Sequence, residues 1–536
     1  MNVNLFRKAL VKIPDRSGFD KSFMNMLTMP VGTLVPLVCD EVVPNSRINL
    51  SVVLHAQLPP LAVNSHLRCD IKLEAFFVPL RIVYGGFSYF IDGEQVVSGN
   101  GVLTKVGIPV YTVGGTGFKN AFGPGSLADY LGVKYDATTL SNVSTDASIT
   151  ISPLPFIAYH RIWDSWYRNK SITKPIFVPP LSSSAPNITP ATLPFIRVPV
   201  TNGGMTSAVF HDNTYFTSLR QRCFGLDYFS SAKSSSQQGS PQTVSIDTSG
   251  STGSFSISSL RAANSLQQFA ERNNLCSDDY VDFLKVNYGS HLTQGQLNEP
   301  MYLGSGSVPV YNNTVLQTSP SDESTSQNPS FSVGTKYGNA TSDGSVSLIN
   351  DFHAAEPGYI FVIASLVPQA SYGTGVDRKF LRYMKDGDQT NLANPVLQNT
   401  GAQPIFGYEL NPRLFHGGDT GRASVFGYTD RYADFMAISD QVHGLVRDGS
   451  SLSVYALQRS FNDTAAPAIS TAFGYIPTTY LDSILAVDSS TSNYGCIVDS
   501  YIDYKMSAPL QQFSIPSLEN VSGEARIVNR GGTVIR

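Results

Sequence analysis

The sequence predicts a mainly β protein, a sandwich whose partner strands lie far apart along the chain. Three observations carry this prediction: frequent Gly and Pro, an aromatic fraction made of Phe and Tyr, and two-residue alternation near both ends. Gly (44) and Pro (32) make about one residue in seven, which interrupts helices and favours strands joined by long loops. Aromatics form 11% of the chain, with 30 Phe and 26 Tyr, and such side chains suit half-buried strands. At 536 residues the chain exceeds the roughly 250–300 residues at which single cores stop growing. It is therefore either several domains or one framework carrying large insertions, and the expectation is one framework over residues 1–536.

The elements follow in order. Residues 1–30 form a basic, extended arm, with five Lys or Arg before position 22. Arg47 to Ala56 and Arg68 to Val78 read as strands. In the second, Ile71, Leu73, Ala75 and Phe77 share one face while Asp70, Lys72 and Glu74 take the other, the period of a half-buried strand. Leu452 to Leu457 and Ile497 to Tyr504 repeat the pattern far downstream. An eight-stranded jelly roll with long loop insertions has this layout, because its sheets pair distant parts of the chain. Insertions fall near 93–153, 230–257 and 317–350. Ser230 to Ser256 and Gln317 to Ser347 are too polar to build a core and read as surface loops.

Three segments read as helices. In Leu154 to Lys170, Tyr159, Trp163, Trp166 and Tyr167 recur at spacings of three and four, and both tryptophans of the chain read as core anchors rather than a ligand-stacking platform. The second helix spans about Ser259 to Asn273. The third spans Ser277 to Tyr288, with Ser277 as cap, Asp278 and Asp279 against the helix dipole and Gly289 as stop.

Charge bounds the function. Charged residues make up 15% of the chain, against about 25% in ordinary soluble domains, as expected where much surface lies in subunit contacts. The net charge of −4 excludes a globally basic nucleic-acid binder but not a local basic patch. Five widely spaced cysteines, Cys39, Cys69, Cys223, Cys276 and Cys496, show no CxxC pair and fit a reducing compartment. Arg7, Lys8 and Lys12 divide the N-terminus, which is not a signal peptide. The longest apolar stretch, Tyr359 to Val367, is about half the length that spans a bilayer.

No phosphate loop, GxSxG elbow or HExxH motif occurs. His211 with Asp212 and His416 with Asp419 are the close His/carboxylate pairs, and neither has a third ligand nearby, so loop hydrogen bonding is the better reading. No catalytic residue, metal site or cofactor is expected.

Several long blocks then resemble one family. RSGFDKSF (16–23), VPLVCDEVVPNSRINL (35–50), KLEAFFVPLRIVYGGFSYFIDG (72–93) and LPFIAYHRIWDSWYRNK (154–170) are similar to segments of gokushovirus-like Microviridae major capsid proteins. HDNTYFTS (211–218), LNEPMYLGSGSVPV (297–310) with QTS (317–319), and VFGYTDRYADF (425–435) continue the resemblance in the same order. It departs at LRQRCFGLDYF (219–229), where the family carries a Pro-Trp-Pro-Gln-like motif, and at 230–257, where a variable region is short.

The resemblance implies a viral jelly roll that self-assembles into a T=1 icosahedral shell around circular single-stranded DNA. It implies a virion protein made in the bacterial host cytoplasm. Its implied partners are further copies of itself, a small basic DNA-associated protein, scaffolding and pilot proteins and a host surface receptor. Arg7, Lys8, Lys12 and Arg16 at one end, and Arg526, Arg530 and Arg536 at the other, are the candidate DNA contacts, with solvation of flexible termini or pairing with acids of a neighbouring subunit as the equal alternative. Phe426, Tyr428, Tyr432 and Phe435 are candidate interface anchors, with ordinary core packing as the equal alternative. A phage adhesin or lectin-like sandwich shares the composition, and a β-rich hydrolase would need convergent carboxylates in a cleft.

Overall fold

The structure, a computed structural model, describes residues 9–12, 16–84, 87–92, 95–97, 103–105, 108, 110–114, 122–135, 148–173, 187–188, 196–199, 205–208, 216–237, 257–275, 280–289, 299–316, 336–381, 402–416, 424–461, 467–486, 494–510, 525–528 and 534–535. Ten strands build two facing antiparallel sheets: β1 (Ser17–Asp20), β2 (Phe23–Met29), β3 (Val35–Val42), β4 (Ser46–Gln57), β5 (Cys69–Pro79), β6 (Met301–Pro309), β7 (Tyr311–Leu316), β8 (Lys336–Ala354), β9 (Gly358–Pro368) and β10 (Cys496–Ala508). One sheet runs β6-β5-β9-β3. The other runs β7-β8-β4-β10, with β1 and β2 both pairing along the remaining edge of β10. The arm thus lies as added strands on a sheet edge, and without it each sheet has four strands.

Residue patterning explains the layers. β4 alternates strictly, with Ile48, Leu50, Val52, Leu54 and Ala56 inward and Arg47, Asn49, Val53, His55 and Gln57 outward, as a one-sided strand must. β10 does the same with Val498, Ser500, Ile502 and Tyr504 inward. Their inner faces meet Ile71, Leu73, Ala75 and Phe77 of β5 and Ile360, Val362, Ala364 and Leu366 of β9 in one core. β9 is buried along its whole length. The apolar run Tyr359 to Val367 is therefore a central strand covered on both faces.

The outer face of β9 and the end of β5 need a second cover. The helix α1 (Leu154–Ile162) and the wide helical turn Trp163–Tyr167 supply it, packing Phe156, Tyr159, Ile162 and Trp163 on Phe76, Val78, Phe361 and Ile363. Buried Tyr159 Oη donates to Leu34 O at 2.7 Å and accepts from Arg220 N at 2.8 Å, locking the helix to the chain entering β3. A third core gathers Tyr228, Phe229, Tyr372, Ile405, Phe426 and Phe473 beside the hairpin Ala402–Phe406 with Val425–Asp430.

Several expectations change. Leu452 to Leu457 is not a strand: Ser453–Tyr455 closes as a tight helical turn, with Tyr455 N donating to Leu452 O at 3.1 Å, so local bonds replace a partner strand. The polar stretch Gln317 to Ser347 is not all loop, because β8 begins at Lys336 and buries Gly338, Ala340 and Ser342. Small inner-face residues hid that strand from a hydrophobicity pattern. The start of Ser230 to Ser256 is also packed: Lys233 exchanges backbone bonds with Tyr428 and Ala232 is buried. Trp163 is a core anchor at 4% exposure, but Trp166 is 43% exposed. The second and third expected helices are present as α2 (Ile257–Leu275) and α3 (Tyr280–Tyr288), the latter stopped by Gly289 at φ +64°. Asp278 and Asp279 lie outside the described residues.

Candidate functional site

The candidate interface aromatics separate. Phe426 is buried in the third core against Phe473, ring centroids 4.8 Å apart, so its ring packs within its own subunit. Tyr428 is half-buried on the strand Val425–Asp430 and is held by the Lys233 backbone. Tyr432 takes a left-handed backbone at φ +66° and carries the Arg431 guanidinium 4.8 Å from its ring centroid. Phe435 is 55% exposed, and Met436 (70%) and Ile438 (88%) extend it into an apolar surface run. Burial in the subunit stabilises Phe426; Phe435, Met436 and Ile438 have apolar area left to bury elsewhere.

The basic termini come together in the backbone. Ala9–Lys12 pairs antiparallel with Ala525–Val528, setting Val11 opposite Arg526 and Lys12 opposite Ala525. Arg16 acts as a structural tie, since its guanidinium donates to Asn45 O at 2.8 Å and Ser507 O at 2.9 Å and so fastens the arm to the end of β10. Arg7, Lys8, Arg530 and Arg536 lie outside the described residues, as do His211, Asp212 and Asp419.

Other ionisable groups are mostly satisfied. Arg222 binds Glu74 through two bonds of 2.6 and 3.1 Å, and Tyr167 also donates to Glu74. Buried Arg459 lies among the rings of Phe473 and Phe224, 4.2 and 4.3 Å from their centroids, and donates to Phe473 O. Burial pushes the thiols of Cys39 and Cys496 up to about 12 and that of Cys69 well above its ordinary value, so these cysteines stay protonated and poorly nucleophilic. Among the described residues no group of three or more His, Cys, Asp or Glu could hold a metal, and no helix is long and apolar enough to cross a membrane.

Comparison with known proteins gives these features their setting. The model of the family described as Capsid protein (F protein) matches residues 11–191 and 182–518. Capsid protein VP1 of Bdellovibrio phage phiMH2K is 25% identical, covering 94% of this chain and 95% of that protein. Capsid protein VP1 of Chlamydia phage 1 is 23% identical (94% and 96% covered), and that of Spiroplasma virus 4 is 22% identical (92% and 93%). The family match includes both sheets of the sandwich and the third core, so the chain belongs to the phage capsid protein (F protein) family and is a major structural protein of the virion, not an enzyme.

Proposed function

We propose that the chain closes into a T=1 icosahedral shell around circular single-stranded DNA, with a jelly-roll path through its sandwich. The observation that carries self-association is the exposed run Phe435, Met436 and Ile438 on a chain with only 15% charged residues. A shell subunit must make heterologous contacts that close under rotation, and exposed apolar residues beside a rigid core serve as anchors for them. Substituting Phe435→Asp together with Ile438→Asp should leave a folded subunit by circular dichroism that makes no shells by electron microscopy. Normal shells from that variant would remove this surface from the interface.

The same reading places Lys12 and Arg526, with Arg7, Lys8, Arg530 and Arg536, toward the DNA phosphates. Its support is the pairing of the two basic segments in one small sheet. Each phosphate contact to a single strand adds roughly 0.7 to the slope of log affinity against log salt. Removing Arg526, Arg530 and Arg536 should flatten that slope by about 2, and an unchanged slope would exclude them. The proposal includes synthesis in the host cytoplasm and work alongside a small basic DNA-associated protein, scaffolding and pilot proteins and a host receptor. Co-purification of virions with these proteins tests that part.

A further inference from the structure

Residues outside the terminal segments build a second basic surface. The end of the turn Trp163–Tyr167, the residues after it, the segments 222–226 and 230–233, Lys72 of β5 and Val367 of β9 enclose a cleft of about 600 Å³. Lys72, Arg168, Lys170, Arg222 and Lys233 line it, and no Asp or Glu is among its described lining residues. Glu74 and Asp164, not themselves in the lining, are ion-paired with Arg222 and Arg168, which leaves Lys72, Lys170 and Lys233 as the cleft's other cations. A concave surface lined by one sign of charge focuses its field on the space it encloses. In the same wall stands Trp166, 43% exposed yet fixed: Nε1 donates to Pro300 O at 3.0 Å, and the ring lies 5.5 Å from that of Tyr302 and 5.9 Å from that of Phe76.

A fixed, open aromatic ring among cations is the arrangement that holds single-stranded nucleic acid, because every base has a π face to stack and every linkage a phosphate. We propose that this cleft binds a nucleotide unit of a single strand, its base on Trp166 and its flanking phosphates on Lys72, Lys170 and Lys233. The inference rests on the shell reading above and adds a contact zone separate from the terminal arginines. It also gives the two tryptophans different roles, with Trp163 holding the helix to the sheet and Trp166 facing the ligand.

The test uses the purified full-length chain and its tryptophan fluorescence. Trp163 is buried at 4% exposure, so quenching by a ligand in the cleft reports Trp166. A short oligothymidylate should quench saturably, and Trp166→Phe should abolish the response. Combining Lys72→Gln, Lys170→Gln and Lys233→Gln should weaken binding about tenfold or more and flatten the salt slope by about 2. Arginine at the same three positions should restore binding. Removing Arg526, Arg530 and Arg536 should leave the quenching intact. Absent quenching, quenching indifferent to the three lysines, or equal competition by inorganic phosphate, thymidine monophosphate or a polyglutamate peptide would overturn the proposal. Shell formation is scored separately by electron microscopy: shells without oligothymidylate quenching sink the cleft site alone, whereas wild-type chain that never forms shells counts against the shell reading.

Discussion

His160 is fully enclosed beside a permanent cation, and that placement sets how the subunit meets acid. Arg220 Nε donates to His160 Nδ1 at 3.1 Å, and since arginine can only donate, Nδ1 is the bare nitrogen and Nε2–H donates to Phe216 O at 2.9 Å. Burial first, then the Arg220 charge, push the His160 pKa well below its ordinary value. The unfolded chain therefore takes up a proton near the usual histidine value of about 6.5 while the folded chain does not. The stability this group contributes is complete above that pH and falls as the pH drops below it. Thermal melts from neutral toward acid pH should show a declining Tm in the wild type and a flatter profile for His160→Gln. Parallel profiles would mean that other groups control acid sensitivity.

At the scale of elements, β6 and β8 approach too closely for side chains at three glycines, Gly304, Gly306 and Gly344. A Cβ on Gly304 would lie 2.2 Å from Leu348 O, and one on Gly306 would lie 2.2 Å from Val346 Cγ1. Gly304→Ala must push a backbone carbonyl aside, and overpacking of this kind costs about 1–3 kcal/mol. Gly18, on β1, has nothing within 4 Å of its added Cβ. Gly304→Ala should thus lower the midpoint of denaturant unfolding clearly, while Gly18→Ala should hardly move it. Equal effects would refute the close-approach argument. The strands legible in the sequence were those with large apolar residues on one face, such as Arg47 to Ala56, Arg68 to Val78 and Ile497 to Tyr504. The first part of β8 was illegible because its inner face there is Gly338, Ala340 and Ser342, small residues that close packing requires and hydropathy cannot flag. The aromatic helix was legible, but not its passage into a wide turn that leaves Trp166 at the surface.

At the scale of the whole molecule, three cores share one chain, and the exposed apolar residues lie outside them. The low charge pointed to this from composition alone, and the basic ends were visible because their arginines and lysines are close in sequence. The cleft was not visible, since Lys72, Arg168, Lys170, Arg222 and Lys233 come from three separate stretches that only the fold assembles. The outer row Met24, Tyr501 and Val53, paired across β2, β10 and β4, is 78%, 43% and 48% exposed. It adds to the apolar surface that assembly can cover. The most direct test of the whole account is the mass and symmetry of what the purified chain forms, read by sedimentation and electron microscopy. The account predicts a single class of closed particle with icosahedral symmetry built from one chain per asymmetric unit. A stable monomer, or open filaments without closure, would contradict it.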